Sequence, residues 1–355
     1  MAKNTTNGAT KTIGALIASS RYFVLLVLLG LAVHLVLPQL TSLEHSVQVI
    51  KTLVLWAVAL AVMAQVLSYL GSGFLLREIV TLTHQRFSIV KGSMITLAAS
   101  SVGVVAGGTV GAGAATYRWM RGMGVSSEGA TLAGILPLLF NNVILMLAAI
   151  FGLIHLLIVH QLSPSQSISF SLIVLLLGAG LGGALWGVRH RSESTALAVR
   201  VARRWAGIRR KPYTATETED AMARLFSAWD ALHHGGWRGP ALGAALNTGF
   251  DMLTLYFLFL AAAVPISPGA LLAGYGLPLL LGKMAFLLPG GVGVVEGTMA
   301  ALYTGLGVPA SVVVVVILTY RLLSFWLPTL IGFPLAAYLQ HAENHLEERM
   351  PPLAH

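Results

Sequence analysis

Residues 288–309, LPGGVGVVEGTMAALYTGLGVP, set a proline, a cluster of glycines and one glutamate inside an apolar part of the chain. A helix that crosses a bilayer satisfies its own backbone. Proline and paired glycines interrupt that, and backbone freed at membrane depth is tolerated only where protein or water lines it. The stretch therefore predicts a broken helix or helical hairpin beside a cavity, with the Glu296 carboxylate next to the break.

Working outward, the whole chain has a membrane composition. Of its 355 residues 56% are hydrophobic and only 10% charged, more apolar surface than a soluble core can hide, which points to a polytopic membrane protein. The net charge of +9 comes from basic residues that crowd into loops and tails flanking apolar runs. That pattern suits anionic lipid and the cytoplasmic face, and it speaks against nucleic acid, which calls for a basic groove with interleaved aromatics. With no cysteine there is no disulfide frame, thiol nucleophile or cysteine metal site.

Apolar runs long enough to cross a bilayer lie at residues 22–40, 52–70, 130–160, 166–188, 240–264 and 310–339. The expected fold is thus an all-α polytopic membrane protein with about six full transmembrane helices. Two further stretches, near 92–121 and 269–306, are interrupted by glycine and read as re-entrant helical hairpins. The organisation that follows is a cytoplasmic tail (1–21), a first transmembrane half (22–188), a basic cytoplasmic loop (189–239), a second transmembrane half (240–340) and a cytoplasmic tail (341–355). Lys3, Lys11 and Arg21 precede the first span, Arg77, Arg86 and Lys91 follow the second, and the arginines from Arg189 onward form the heaviest cluster, so both termini are expected inside. Within the loop, Leu197, Val201 and Trp205 recur every four residues among arginines, the pattern of an amphipathic helix on the inner leaflet.

The opening stretch has a copy. Laid without gaps on AGGTVGAGAATYRWMRGMGVS (residues 106–126), it matches at Gly107/Gly290, Gly108/Gly291, Gly122/Gly305, Gly124/Gly307 and Val125/Val308, and each copy precedes a long apolar run. A fixed offset with the same flanks reads as a duplication. Three crossings separate the copies, so they enter from opposite faces, an inverted repeat of the kind that surrounds midplane sites in transporters. The glycines at 107, 108, 290, 291 and 293 free amides and helix ends that can meet a headgroup. Gly103/Gly107, Gly178/Gly182 and Gly293/Gly297 equally fit close helix packing.

Charges within apolar spans are costly and must be partnered or face a cavity. Glu296 follows the break and Arg321 lies mid-span in VVVVVILTYRLLSFWLP, so a Glu296–Arg321 pair is the first candidate for the site, with a structural buried pair as the other reading. Asp251 and Asn247, one turn apart in AALNTGFDMLTLYF, are further candidates, as is Arg118 near the first break. Lys283 reads as a residue that snorkels to an interface. The position matching Glu296 in the first copy is Gly113, so the carboxylate is not duplicated.

The carboxy-terminal third, LPGGVGVVEGTMAALYTGLGVP with ILTYRLLSFWLP after it, resembles the lysylphosphatidylglycerol synthase transmembrane-region family, in which a proline-glycine-glycine turn and a nearby glutamate precede a helix bearing an arginine; here these are Pro289, Gly290, Gly291, Gly293, Glu296 and Arg321. The resemblance implies likeness to the flippase half of the multiple peptide resistance factor, which moves aminoacylated phosphatidylglycerol between leaflets, without the separate synthase domain. The first copy departs from the family pattern, lacking both the proline and the acid. The implied function is a lipid translocase of the cell inner membrane, not an enzyme, that carries a phospholipid or aminoacyl-phospholipid headgroup through a polar cavity and requires no cofactor or metal. A membrane enzyme, or an accessory subunit for polyprenyl, hopanoid or glycolipid synthesis, is the alternative. The partners expected are membrane lipid, a second copy in a homodimer and a separate lipid-modifying enzyme.

Overall fold

A computed structural model describes residues 49, 51–159, 164–208, 213–232, 235–284 and 289–349. The expected span at 22–40 and the amino-terminal tail lie outside the described residues. Among those residues all regular structure is helical: α1 (Leu55–Thr81), α2 (Ile89–Val105), α3 (Thr109–Gly122), α4 (Ser127–Ile158), α5 (Pro164–Arg189), α6 (Arg191–Ile208), α7 (Ala215–Asp230), α8 (Arg238–Ala261), α9 (Pro268–Met284), α10 (Val294–Gly305), α11 (Ala310–Arg321) and α12 (Leu327–Arg349). A π-helical turn, Leu322–Trp326, joins α11 to α12. Five stretches are long and apolar enough to span a membrane, in α1, α4, α5, α8 and the continuous run Ala310–His341, and they coincide with five of the six expected spans. The last helix continues to Arg349, past the expected start of the tail, because polar residues such as Gln340, Glu343 and Glu347 end a span without ending a helix.

Both glycine stretches are breaks between short helices. Gly107 and Gly108 have φ of 87° and 68°, and Gly290 and Gly291 have 62° and 65°, left-handed values that side chains with a Cβ seldom adopt. The helices on either side, α2 and α3 at the first break and α9 and α10 at the second, have 17, 14, 17 and 12 residues, each below the roughly 20 that cross a bilayer.

The duplication extends well beyond the glycines. The offset that carries Gly107 onto Gly290 also carries Leu55, the start of α1, onto Arg238, the start of α8, and Ser127, the start of α4, onto Ala310, the start of α11. Helix α4 and the run Ala310–His341 are both 32 residues long. Packing obeys the same exchange: α1 and α8 lie along each other at the centre, α2 packs on α12, and α9 packs on α4. Each hairpin therefore leans on the long span of the other half. Two apolar cores result, one around Ile79, Ile95, Met120 and Leu136, the other around Leu153, Phe259, Met299 and Val313.

Small residues make these crossings close. A Cβ at Gly152 of α4 would strike the backbone of α9 at Ala273, and one at Gly276 of α9 would strike α4 at Leu145 and Ala149. By contrast Gly178 and Gly182 on α5 face open space, beside exposed Ile168, Leu172 and Leu175. Gly152→Leu is thus expected to force α4 and α9 apart and cost about 1–3 kcal/mol, while Gly178→Leu changes little; unfolding midpoints in detergent compare the two.

Outside the spans, α6 and α7 fill the basic loop. The Arg191 guanidinium donates two hydrogen bonds to the Asp230 carboxylate and ties them together. Leu197, Val201 and Trp205 form an exposed row on α6, flanked by exposed Arg200, Arg203 and Arg204.

Candidate functional site

The second break is closed by its own side chains. The Glu296 carboxylate accepts the Gly293 N–H at 2.6 Å through Oε2 and the Arg321 Nε–H at 2.6 Å through Oε1. Arg321 also donates to the Gly290 carbonyl at 3.0 Å, and its guanidinium stacks 4.4 Å from the centre of the Phe325 ring. At 4% exposure Arg321 is enclosed by the protein. The expected pair exists, and its geometry is that of a latch binding the glycine turn to α11. The turn leaves no room for a larger residue, since a Cβ at Gly290 would run into Phe325.

Asp251 of α8 forms a second buried polar centre. Its Oδ2 accepts the Tyr275 hydroxyl at 2.7 Å and the Tyr320 hydroxyl at 2.8 Å, and Gln65 of α1 hydrogen-bonds the same carboxylate. Tyr69, one turn along α1, donates to the Ser324 carbonyl at 3.2 Å, within the π-helical turn where the regular ladder is interrupted. Asp251 thus joins α1, α8, α9 and α11.

Beside the first break is a cavity of about 270 Å³. It is walled by α1, α2, α3 and α4, with Asn247 from α8 and Lys283 from the end of α9. Its polar groups are the hydroxyls of Ser72, Thr96, Ser100, Thr109 and Thr116, the amides of Asn141 and Asn247, and the Lys283 ammonium, which donates to Asn142 Oδ1 at 2.8 Å. Pro137 also lines it; with no N–H to give, it leaves the Ala133 carbonyl, another lining residue, without its helical donor. Asn141 Oδ1 is buried and has no hydrogen-bond partner among the described residues. The lining of this void thus combines neutral hydrogen-bonding groups, one cation and an apolar surround.

Of the candidate site residues named from the sequence, only Asn247 lines this cavity; its side chain meets Ser68 Oγ at 3.0 Å. Glu296, Arg321, Gly290, Gly291 and Gly293 gather at the second break, and Asp251 sits in its tyrosine cluster. Gly107 and Gly108 form the exposed tip of the first hairpin, and Arg118 lies on an exposed face of α3. Lys283, read from the sequence as snorkelling to an interface, lines the cavity instead, and the five hydroxyls are the residues that sequence reasoning left out. Their signal was present in the helical spacing of Thr96 with Ser100 and of Thr109, Gly113 and Thr116, which sets polar groups on one face of each short helix.

This architecture, an all-α polytopic membrane protein whose duplicated halves each carry a broken helix, has relatives. The sequence profile described as the lysylphosphatidylglycerol synthase TM region matches residues 12–332, and the chain belongs to that family. It is also similar to a UPF0104 membrane protein of Pyrococcus horikoshii (36% identity over 91 residues, 24% of this chain and 25% of that protein). UPF0104 membrane proteins of Methanothermobacter thermautotrophicus and Methanocaldococcus jannaschii match at 37% over 82 residues (23% of this chain, 24% of the relative) and 34% over 84 (24% and 25%). These matches span about a quarter of each relative's length.

Proposed function

We propose that this protein is a lipid translocase that moves a phospholipid headgroup across the cell inner membrane through the cavity beside the first break, while the acyl chains stay in lipid. The observation that carries this reading is the cavity itself, a partly open void with hydrogen-bonding groups in an apolar lining, set among the spans α1, α4 and α8 and the short helices of the breaks, with walls drawn from both duplicated halves. In this reading the hairpins are re-entrant and enter from opposite faces, consistent with the three membrane-length helices α4, α5 and α8 between the two breaks, and both termini are cytoplasmic. The protein is a carrier of lipid and not an enzyme, and any lipid-modifying step belongs to a separate protein.

The test is transbilayer movement of fluorescent phospholipids in vesicles holding the purified protein. Wild type is expected to move at least one headgroup class faster than protein-free vesicles. Ser100→Trp, which places a large ring in the cavity from an exposed position, is expected to abolish most of that movement while leaving the protein folded. Folded wild-type protein that accelerates no phospholipid in a panel of anionic, zwitterionic and aminoacylated headgroups overturns the reading.

A further inference from the structure

The two breaks are copies that have diverged in one respect. At the second, the amino end of α10 carries its own anion, the Glu296 carboxylate, backed by Arg321. The duplication offset carries Glu296 onto Gly113 and Arg321 onto Leu138, and both of these residues line the cavity. Where one half holds an acid and an arginine, the other holds empty space. The offset also pairs Lys283 with Ser100, and both line the same void.

The charge of that void is one-sided. Among its lining residues Lys283 is the single charged group and there is no acid. Thr109, the first residue of α3, is also in the lining, and among the described residues no side chain caps that helix. An uncapped helix start adds partial positive charge and free N–H groups to the Lys283 ammonium. An ammonium brought in here would meet the like charge of Lys283 and find only neutral acceptors, the Asn141 amide oxygen and the Ala133 carbonyl, which a polyol hydroxyl satisfies without that repulsion. At about 270 Å³ the cavity is also at the small end for ligand sites, enough for a compact headgroup but not for acyl chains.

We propose that this cavity selects an anionic phosphate ester whose remaining headgroup is a small uncharged polyol, and rejects headgroups that carry an ammonium, aminoacylated ones included. The inference rests on the translocase reading and adds its substrate class. A soluble glycerol phosphate shares the recognised chemistry with an anionic phospholipid, and the experiment separates the two sources.

The full chain in detergent is titrated with short-chain phosphatidylglycerol, phosphatidylcholine and lysylphosphatidylglycerol, and with glycerol 3-phosphate, following tryptophan fluorescence and native mass. Phosphatidylglycerol is expected to bind about tenfold or more tightly than either ammonium-bearing lipid, the scale of one charged hydrogen bond. Lys283→Met is expected to weaken it by a similar factor, and Lys283→Arg to keep it. Thr109→Asp places a tethered carboxylate at the α3 amino end, where it favours the helix, and should block the anion while the protein stays folded. Glycerol 3-phosphate binding as tightly as the lipid assigns the ligand to the soluble pool, and binding of the lipid alone assigns it to the membrane; either supports the anion site. Equal or tighter binding of lysylphosphatidylglycerol, or wild-type binding in both Lys283→Met and Thr109→Asp, overturns it. Selective binding without any transbilayer movement sinks the translocase reading and leaves the anion site standing, whereas movement with no headgroup preference does the reverse.

Discussion

Arg321→Ala is expected to destabilise the protein by about 3–5 kcal/mol, the cost of removing one partner from a buried ion pair. The loss exceeds that of a surface pair because Arg321 has three roles at once. It neutralises Glu296, donates to the Gly290 carbonyl and covers the Phe325 ring. Without it, Glu296 keeps only the Gly293 N–H, and the glycine turn is no longer fastened to α11. Glu296→Gln should cost less, since the amide oxygen still accepts from Gly293, although Arg321 then lacks its counter-charge. The double variant Glu296→Met/Arg321→Met should recover part of what Arg321→Ala loses, because an apolar pair leaves no buried charge unpaired. Unfolding midpoints in detergent for the four proteins give the order directly. An Arg321→Ala protein as stable as wild type but inactive in lipid movement would mean that the arginine acts on the lipid, and the latch account would fall.

The sequence made the broad architecture legible because bilayer thickness and backbone satisfaction leave few solutions. Apolar length located α1, α4, α5, α8 and the run through α11 and α12, and paired glycines located both breaks, with a proline beside them only at the second. The Glu296–Arg321 contact was legible for a similar reason: opposite charges near one break in an apolar span have every incentive to meet. The cavity was not legible. Its walls come from six helices, its polar groups are mostly hydroxyls that elsewhere bond their own helix, and its one cation arrives from the opposite half. Thr96 and Thr116, for example, also donate to carbonyls one turn back, at Gly92 and Ala112. The spacing within one helix sets such residues on one face but does not show that the faces meet around a void; the duplication points to that region, once Gly113 and Leu138 are seen to stand where Glu296 and Arg321 stand in the other copy.

Asp251 gives the second large effect, and here the expected result is a failure of additivity. Its carboxylate accepts both the Tyr275 and the Tyr320 hydroxyl, and both rings are buried. Asp251→Ala removes the acceptor and strands two buried donors, each costing about 1–3 kcal/mol, so a total loss of about 3 kcal/mol or more is expected. Tyr275→Phe in the wild-type background removes one ordinary partner and should cost about 1 kcal/mol. In the Asp251→Ala background the same change removes a stranded hydroxyl, so its cost should vanish or reverse. Asp251→Asn, which keeps an acceptor oxygen, should fall between wild type and Asp251→Ala. Chemical or thermal unfolding of the single and double variants supplies the cycle. Simple additivity would mean that the tyrosines do not depend on Asp251 and that the four helices meeting there are held by apolar packing alone; coupling of the expected sign makes the carboxylate the joint through which the central α1–α8 pair holds the second hairpin and the span that follows it.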